Sequence, residues 1–281
     1  MAEGVTVRAC GLSLKTGRGW VYRDVALDAE PGTLTAVAGQ AGSGRTSLLL
    51  TLAGRMKPTG GTLTVAGQAK PRAIRRAAAL GLVDGVNDLE RALTVREHVH
   101  ERTPRLFRNA ESTRRARAAL ELAGLEEFSP DDRTLIRDLG REQRVRLGIA
   151  LALLDQPGLL VLDNVDLGLA ADRREALWAT LGGLAARGTT VIASCTESPL
   201  LRTVRLAGDD DPVRAGVSPD RGSGEAETAP AGEPGEAGEA GTAPAGEPGE
   251  AGEAEAAPGG EAEAVRDGGP EEAGESEERG R

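Results

Sequence analysis

The chain has 281 residues, 28% of them charged, and a net charge of −10. That length admits one sizeable domain with a segment beside it, and no apolar run approaches the roughly 18 residues that a membrane span needs. Cys10 and Cys195 are far apart with no CxxC, which argues against a disulfide framework or a zinc site and fits a reducing cytosol.

No signal peptide is read at the start of the chain. Val5–Ala9 and Val25–Leu27 read as short strands. Thr33–Ala38 (TLTAVA) is a compact apolar run that leads into the glycine-rich stretch GQAGSGRTS, and Ser47–Leu52 continues as a helix. Gly61–Ala66 alternates as a strand, and Leu80–Val83 reads as another. Thr94-Val-Arg-Glu97 is a capping box that opens a helix, and a second helix spans Thr113–Leu122 and stops at Gly124. A helix over Glu142–Leu154 precedes the buried-type strand LLVLD at 159–163. A helix over Asp172–Ala186 stops at Gly188, and Thr189–Ser194 is a further buried strand. Apolar strands alternating with helices predict an α/β domain with a mainly parallel core sheet.

From Asp209 onward the composition changes, with 21 of the 44 acidic residues but only 5 of the 34 basic ones. This segment has no aromatic residue and repeats TAPAGEPGEAGEAG (228–241) almost perfectly at 242–255. Gly, Pro, Ala and Glu at that density cannot bury enough apolar surface to offset the entropy of ordering. The expectation is a folded domain over 1–207 and a disordered, acidic, solubilising tail over 208–281.

Two motifs carry the chemistry. In Gly39, Gln40, Ala41, Gly42, Ser43, Gly44, Arg45, Thr46 and Ser47 the glycines leave room for backbone N–H groups to approach an anion at a helix N-terminus. The pattern G-x-x-x-x-G-K-[ST] places lysine where Arg45 stands, and a planar guanidinium cannot simply occupy a compact ammonium's place. By itself the stretch reads as a phosphate loop or as an ordinary glycine turn. The second motif, the apolar run 159–162 ending in Asp163, follows at domain-length spacing and decides for the phosphate loop. Thr46 and Asp163 are then the candidate Mg²⁺ residues.

In that order, and with LTVREHV (93–99), RVRLGIALALLDQPGLLVLDN (144–164) and VIASCTE (191–197), residues 4–206 resemble the nucleotide-binding domain of ATP-binding cassette (ABC) transporters. The resemblance implies a P-loop NTPase fold with a parallel core, an antiparallel N-terminal β part and a helical subdomain over about 86–140. It implies ATP and Mg²⁺ as ligands. It also implies a separately encoded polytopic membrane protein as partner, docked around 85–105, a pair of identical or different cassettes, and a place at the inner face of the plasma membrane.

Most of the family's working residues are replaced. Arg45 stands at the Walker A lysine, Gly85 at the Mg²⁺-sensing glutamine and Asn164 at the catalytic glutamate. Ala170 stands at the D-loop aspartate and Thr196 at the switch histidine. Leu139, Gly140, Arg141, Glu142 and Gln143 stand where the signature LSGGQ is expected. Asn164 is no base at neutral pH, and Glu142 is expected to set a negative charge where phosphate approaches. His98 and His100 are read as surface residues that cannot substitute for the switch histidine. Trp20 is a candidate adenine stacker, or else a packed or surface tryptophan, and Thr16 sits near the family's aromatic position. The reading is an ATP-binding transporter subunit with slow or lost hydrolysis. The alternatives are a non-hydrolysing regulatory or scaffold cassette and a soluble cassette acting on nucleic acid. No basic–aromatic cluster supports the last, so no nucleic acid is expected.

Overall fold

The computed structural model describes residues 3–102, 110–200 and 202–206, all within the first of two units, Met1–Gly222. The acidic segment and its repeat lie outside the described residues. Within them the order is β1 (Val7–Thr16), β2 (Gly19–Ala29), β3 (Leu34–Ala38), α1 (Arg45–Leu52), β4 (Gly60–Val65), α2 (Pro71–Ala77) and β5 (Ala78–Leu80). α3 (Val95–Arg102), α4 (Ala110–Leu122), α5 (Arg141–Leu153), β6 (Leu159–Leu162), α6 (Ala171–Ala186), β7 (Thr190–Cys195) and β8 (Thr203–Arg205) follow.

The strands form two sheets. β5-β6-β7-β3-β8 is parallel throughout, and β2-β1-β4 is antiparallel. Alternation along the parallel strands divides the core in two, because successive side chains point to opposite faces. Ala36, Leu160, Leu162, Val191 and Ala193 pack with α4, α5 and α6. Val37, Val161 and Ile192 pack with α1 and with the inner face of the antiparallel sheet. α1 buries Leu48, Leu49 and Leu52 together with the polar Arg45 and Thr51.

Several elements differ from expectation. β1 and β2 are far longer than the two short strands read from sequence. Their alternation is broken by register shifts and by positive φ at Gly11 and Asp24, so only the regular parts look like strands. β5 covers 78–80 rather than 80–83. Leu82 and Val83 are buried without strand pairing beyond the Gly81 N–H bond to Val161 O. α2 and β8 were not anticipated: α2 buries only Ile74 of its seven residues, and β8 has three residues. His98 is also not a surface residue. It is 7% exposed, with Nε2 3.2 Å from Glu90 O.

Candidate phosphate-binding site

β3, β6 and β7 are neighbouring parallel strands, so their carboxyl ends open on one edge of the sheet, where ligands of such sheets bind. Gly39 leaves β3 and donates its N–H to Cys195 O at the end of β7, 3.2 Å away. A Cβ at position 39 would stand 2.5 Å from Ser43 Oγ and 3.0 Å from Leu206 O, so a side chain there would displace the Ser43 hydroxyl. The chain then turns through Gln40, Ala41 and Gly42, which form an exposed tip, and Ser43 N–H closes on Gln40 O at 3.2 Å. Gly42 has φ 83° and open space where a side chain would be. Gly44 heads α1 with φ 84°, its Cα turned hard against the Val21 carbonyl. Ser47 contributes only its carbonyl, which accepts from Thr51 Oγ1 at 2.9 Å.

The loop holds two polar atoms that are buried without a hydrogen-bond partner, Ser43 Oγ and Arg45 Nη1. Arg45 is 8% exposed. A buried unpaired donor is costly unless a ligand or water meets it, so both atoms suit an anion in the cradle. Thr46 Oγ1 donates to Asp163 Oδ2 at 2.6 Å. Two hard oxygens converging beside a phosphate cradle suit Mg²⁺, which prefers one or two protein oxygens and completes its shell with phosphate and water. Thr46 and Asp163 would hold it, and it would neutralise charge on the bound phosphates.

One residue that sequence reading missed completes this group. Ser194, fully buried on β7, donates its hydroxyl to Asp163 Oδ1 in a short hydrogen bond and accepts the Asn164 N–H at 2.8 Å. Both carboxylate oxygens of Asp163 are therefore engaged, Oδ2 also lying 3.4 Å from Asn164 Nδ2. Its position in VIASCTE, two residues before the expected histidine, gave no warning, because a buried strand serine is ordinarily a packing residue. Cys195 beside it is fully buried. Burial first, and then the Asp166 carboxylate, push its thiol up to about 12.

The positions read from the sequence as replaced fall as follows. Asn164 turns the chain after β6 in a left-handed conformation, φ 46°. Thr196 follows β7, exposed, with its N–H given to Asp166 Oδ2 at 2.8 Å. Gly85 is exposed and donates to Asp88 Oδ2 at 2.9 Å, and Ala170 opens α6 as its N-cap. At α5, Leu139 is buried and Gly140 is the N-cap, its N–H bound to Gln143 Oε1 at 3.0 Å.

The two charges of this turn behave differently from expectation. Arg141 reaches Asp84 with both Nη atoms at 3.2 Å. Glu142 accepts from Arg146 Nε at 2.8 Å and from Arg173 Nη1 at 3.0 Å. The negative charge expected to repel phosphate is thus neutralised within the chain by two arginines. Trp20 is 39% exposed, with Lys15 and Arg23 each 5.2 Å from its ring centroid. Val21, and not Trp20, abuts Gly44.

A glycine loop at the end of β3, an acid at the end of β6 and a helix-capping turn at α5 are the parts of a P-loop cassette. The model of the ABC transporter family matches residues 22–166, and the chain belongs to that family. It is 32% identical over 193 residues to the Nod factor export ATP-binding protein I of Rhizobium johnstonii, covering 67% of this chain and 60% of that protein. It is 32% identical over 200 residues to the hemin import ATP-binding protein HmuV of Gloeobacter violaceus, covering 66% and 71%. The chain thus spans about 60% of the length of the Nod factor relative. Among solved structures, cbiO1 from Clostridium perfringens, part of the ABC transporter complex cbiONQ, matches with a TM-score of 0.61 at 20% identity, covering 73% of this chain and 85% of that one. A bacterial Atm1-family ABC exporter with ATP bound matches with a TM-score of 0.59 at 16% identity, covering 74% and 37%. These likenesses fix the fold.

Proposed function

We propose that this chain is the nucleotide-binding subunit of a transport assembly, holding ATP with Mg²⁺ at residues 39–47 and Asp163 and turning it over slowly. The observation that carries the reading is the convergence of Thr46 Oγ1 on Asp163 Oδ2 beside the buried, unpartnered Ser43 Oγ and Arg45 Nη1. The relatives named for Nod factor export and hemin import support a transport role. Asn164 and Thr196 at the two positions where the family carries a base and a histidine support slow turnover.

A separately encoded membrane protein is the partner in this reading, at the inner face of the membrane. A cleft of about 340 Å³ opens where it would dock, between Asn87–Glu90, His98 and Arg102 of α3, and Leu151 of α5. No helix among the described residues is long and apolar enough to cross a membrane, so the membrane pathway in this proposal lies in the partner. The folded domain ends near residue 207. The acidic segment beyond it lacks the apolar content to extend the core, and truncation after Leu206 leaves the melting temperature unchanged if that boundary is right.

The test is thermal stability of the purified chain with millimolar ATP and Mg²⁺. Binding raises the melting temperature by mass action. Thr46→Ala and Asp163→Asn reduce the Mg²⁺-dependent part of the shift. No shift with ATP or GTP would discard nucleotide binding and leave a scaffold role.

A further inference from the structure

The cleft beside α3 has an apolar floor and an acidic rim. The floor is the buried Leu151 of α5 with the half-buried Leu89 and Leu93. The rim is Asp88 and Glu90 from the loop after β5 and Glu101 from α3, all three exposed. Arg102 is the one arginine of the lining, and its partner, Asp155 at 3.6 Å, stands outside it. Among the described residues no lysine or arginine is paired with a rim carboxylate. Asp88 accepts the Gly85 N–H at 2.9 Å, Glu90 accepts the Ala92 N–H at 3.2 Å, and Glu101 lies 3.8 Å from His98 Nδ1. Elsewhere in the fold arginines pair with Asp84, Glu111, Glu142 and Asp155, so the rim stands apart.

The walls are tied before any partner arrives. Asn87 accepts the Val83 N–H at 2.8 Å and donates to Gly81 O at 2.6 Å, which fixes the loop that carries Asp88 and Glu90. Leu93 O accepts the Ile136 N–H at 2.9 Å, and the Thr94–Glu97 cap holds the start of α3. His98 joins the two walls, its Nε2 3.2 Å from Glu90 O. A surface organised in advance spares a partner the cost of ordering it. Carboxylates of one sign around a concavity focus a negative potential into it. The apolar floor offers the area that one face of an amphipathic helix buries in a groove.

We infer that the segment docking in this cleft is a helical turn of the membrane partner with an apolar side chain flanked by lysine or arginine. This rests on the cleft being the docking site of the proposed function, and adds the chemistry of what enters it. The apolar side chain covers Leu89, Leu93 and Leu151, and the flanking cations meet Asp88, Glu90 and Glu101. An acidic segment of the same shape is turned away by those three charges, so the rim sets which partner is accepted.

The probes are two synthetic peptides of about 18 residues, long enough to hold a helix in water. Each has a central leucine, flanked one turn away on either side by lysine in one peptide and by glutamate in the other. Fluorescence anisotropy reads their binding to the full chain, to the rim variant Asp88→Asn/Glu90→Gln/Glu101→Gln, and to Leu93→Ala. A control, Glu121→Gln/Glu126→Gln/Glu175→Gln, removes the same charge at exposed positions outside the cleft. The amides keep acceptors for the Gly85 and Ala92 N–H groups. The expected result is binding of the lysine peptide, weakened about tenfold in Kd by the rim variant and under about twofold by the control. Leu93→Ala weakens it too, added salt weakens it in the parent more than in the rim variant, and the glutamate peptide does not bind. If the rim variant does not fold, Glu101→Lys decides: weaker binding of the lysine peptide supports the inference. Parental affinity in the rim variant, or in Glu101→Lys, overturns it. A glutamate peptide that binds, and binds less well to Leu93→Ala, also overturns it while leaving the cleft as the docking site. Binding of neither peptide removes both the inference and the docking cleft. Self-association of the chain that the rim variant abolishes would give the cleft to a second copy and overturn the inference.

Discussion

Gly44 and Gly42 have nearly the same backbone, φ 84° and 83°, yet their replacement has different consequences. Holding an L-residue in the left-handed region costs about 1–2 kcal/mol at either site. At Gly42 that is the whole cost, because nothing lies within 4 Å of the added methyl. At Gly44 the methyl falls 2.9 Å from the Val21 carbonyl carbon and nearer still to its oxygen, inside the 3.0 Å that real Cβ atoms respect. Forcing β2 away from α1 adds an overpacking cost of about 1–3 kcal/mol. Gly44→Ala is therefore destabilised by roughly 2–5 kcal/mol without any ligand, and Gly42→Ala by about 1–2. For a domain of this size each kcal/mol moves the melting temperature by about 2–4 °C, so the two variants separate by several degrees. Addition of ATP and Mg²⁺ at about a hundredfold over Kd stabilises the parent by roughly 2.7 kcal/mol. Gly42→Ala, whose methyl occupies open space at the loop tip, loses most of that shift if that space receives the phosphate, despite being the more stable variant. Equal apo melting temperatures for the two variants, or a full ATP shift in Gly42→Ala, would refute the account of the loop.

Three further outcomes follow from the packing. At pH 8 a thiol reagent labels exposed Cys10 and spares buried Cys195 in the native protein. Because burial holds the Cys195 thiol near 12, above its ordinary value, its contribution to stability is complete below about pH 9 and is lost as pH rises toward 12; mass spectrometry of labelled peptides checks the first point, and equal labelling would contradict it. Arg146→Ala removes a 7%-exposed cation that binds Glu142, Ala123 O and Thr180, costing about 3–5 kcal/mol in urea unfolding. Arg173→Ala, at a side chain 63% exposed, costs under about 1 kcal/mol. Thr94→Ala breaks the reciprocal cap with Glu97 and costs about 1 kcal/mol. The Thr94 hydroxyl, and then its backbone N–H, hold the Glu97 carboxyl below its usual range. The difference between parent and variant therefore shrinks as pH falls through that lowered range, which melts at successive pH values will show.

The parts of the site that were legible in sequence are those whose neighbours are local. The glycine loop announces itself because strand, loop and helix are consecutive, and Asp163 because its apolar strand ends there. The Arg146–Glu142 pair is local too, spaced i,i+4 on α5, yet it went unread because the signature comparison drew Glu142 toward phosphate. Asp84 lies 57 residues from Arg141, and Arg173 lies 31 from Glu142, so no helix periodicity reveals either pairing. Ser194 escapes for the same reason. It is defined by a neighbouring strand end, and only the order β6-β7-β3 brings those ends together. α2 was hidden for want of apolar positions, since one buried residue leaves no period to find.

The charges at the head of α5 also constrain how this sequence can change. Arg141 and Glu142 are each held by partners elsewhere in the fold. Reversion of Glu142 to glycine would leave the buried Arg146 without its carboxylate, an uncompensated cation whose cost precedes any gain at the phosphate site. Reversion of Arg141 to glycine would release Asp84 beside the same turn. A single substitution at either position thus gives a less stable protein, and only concerted changes avoid it. These charges are therefore structural members of the fold, and selection for stability alone would retain them.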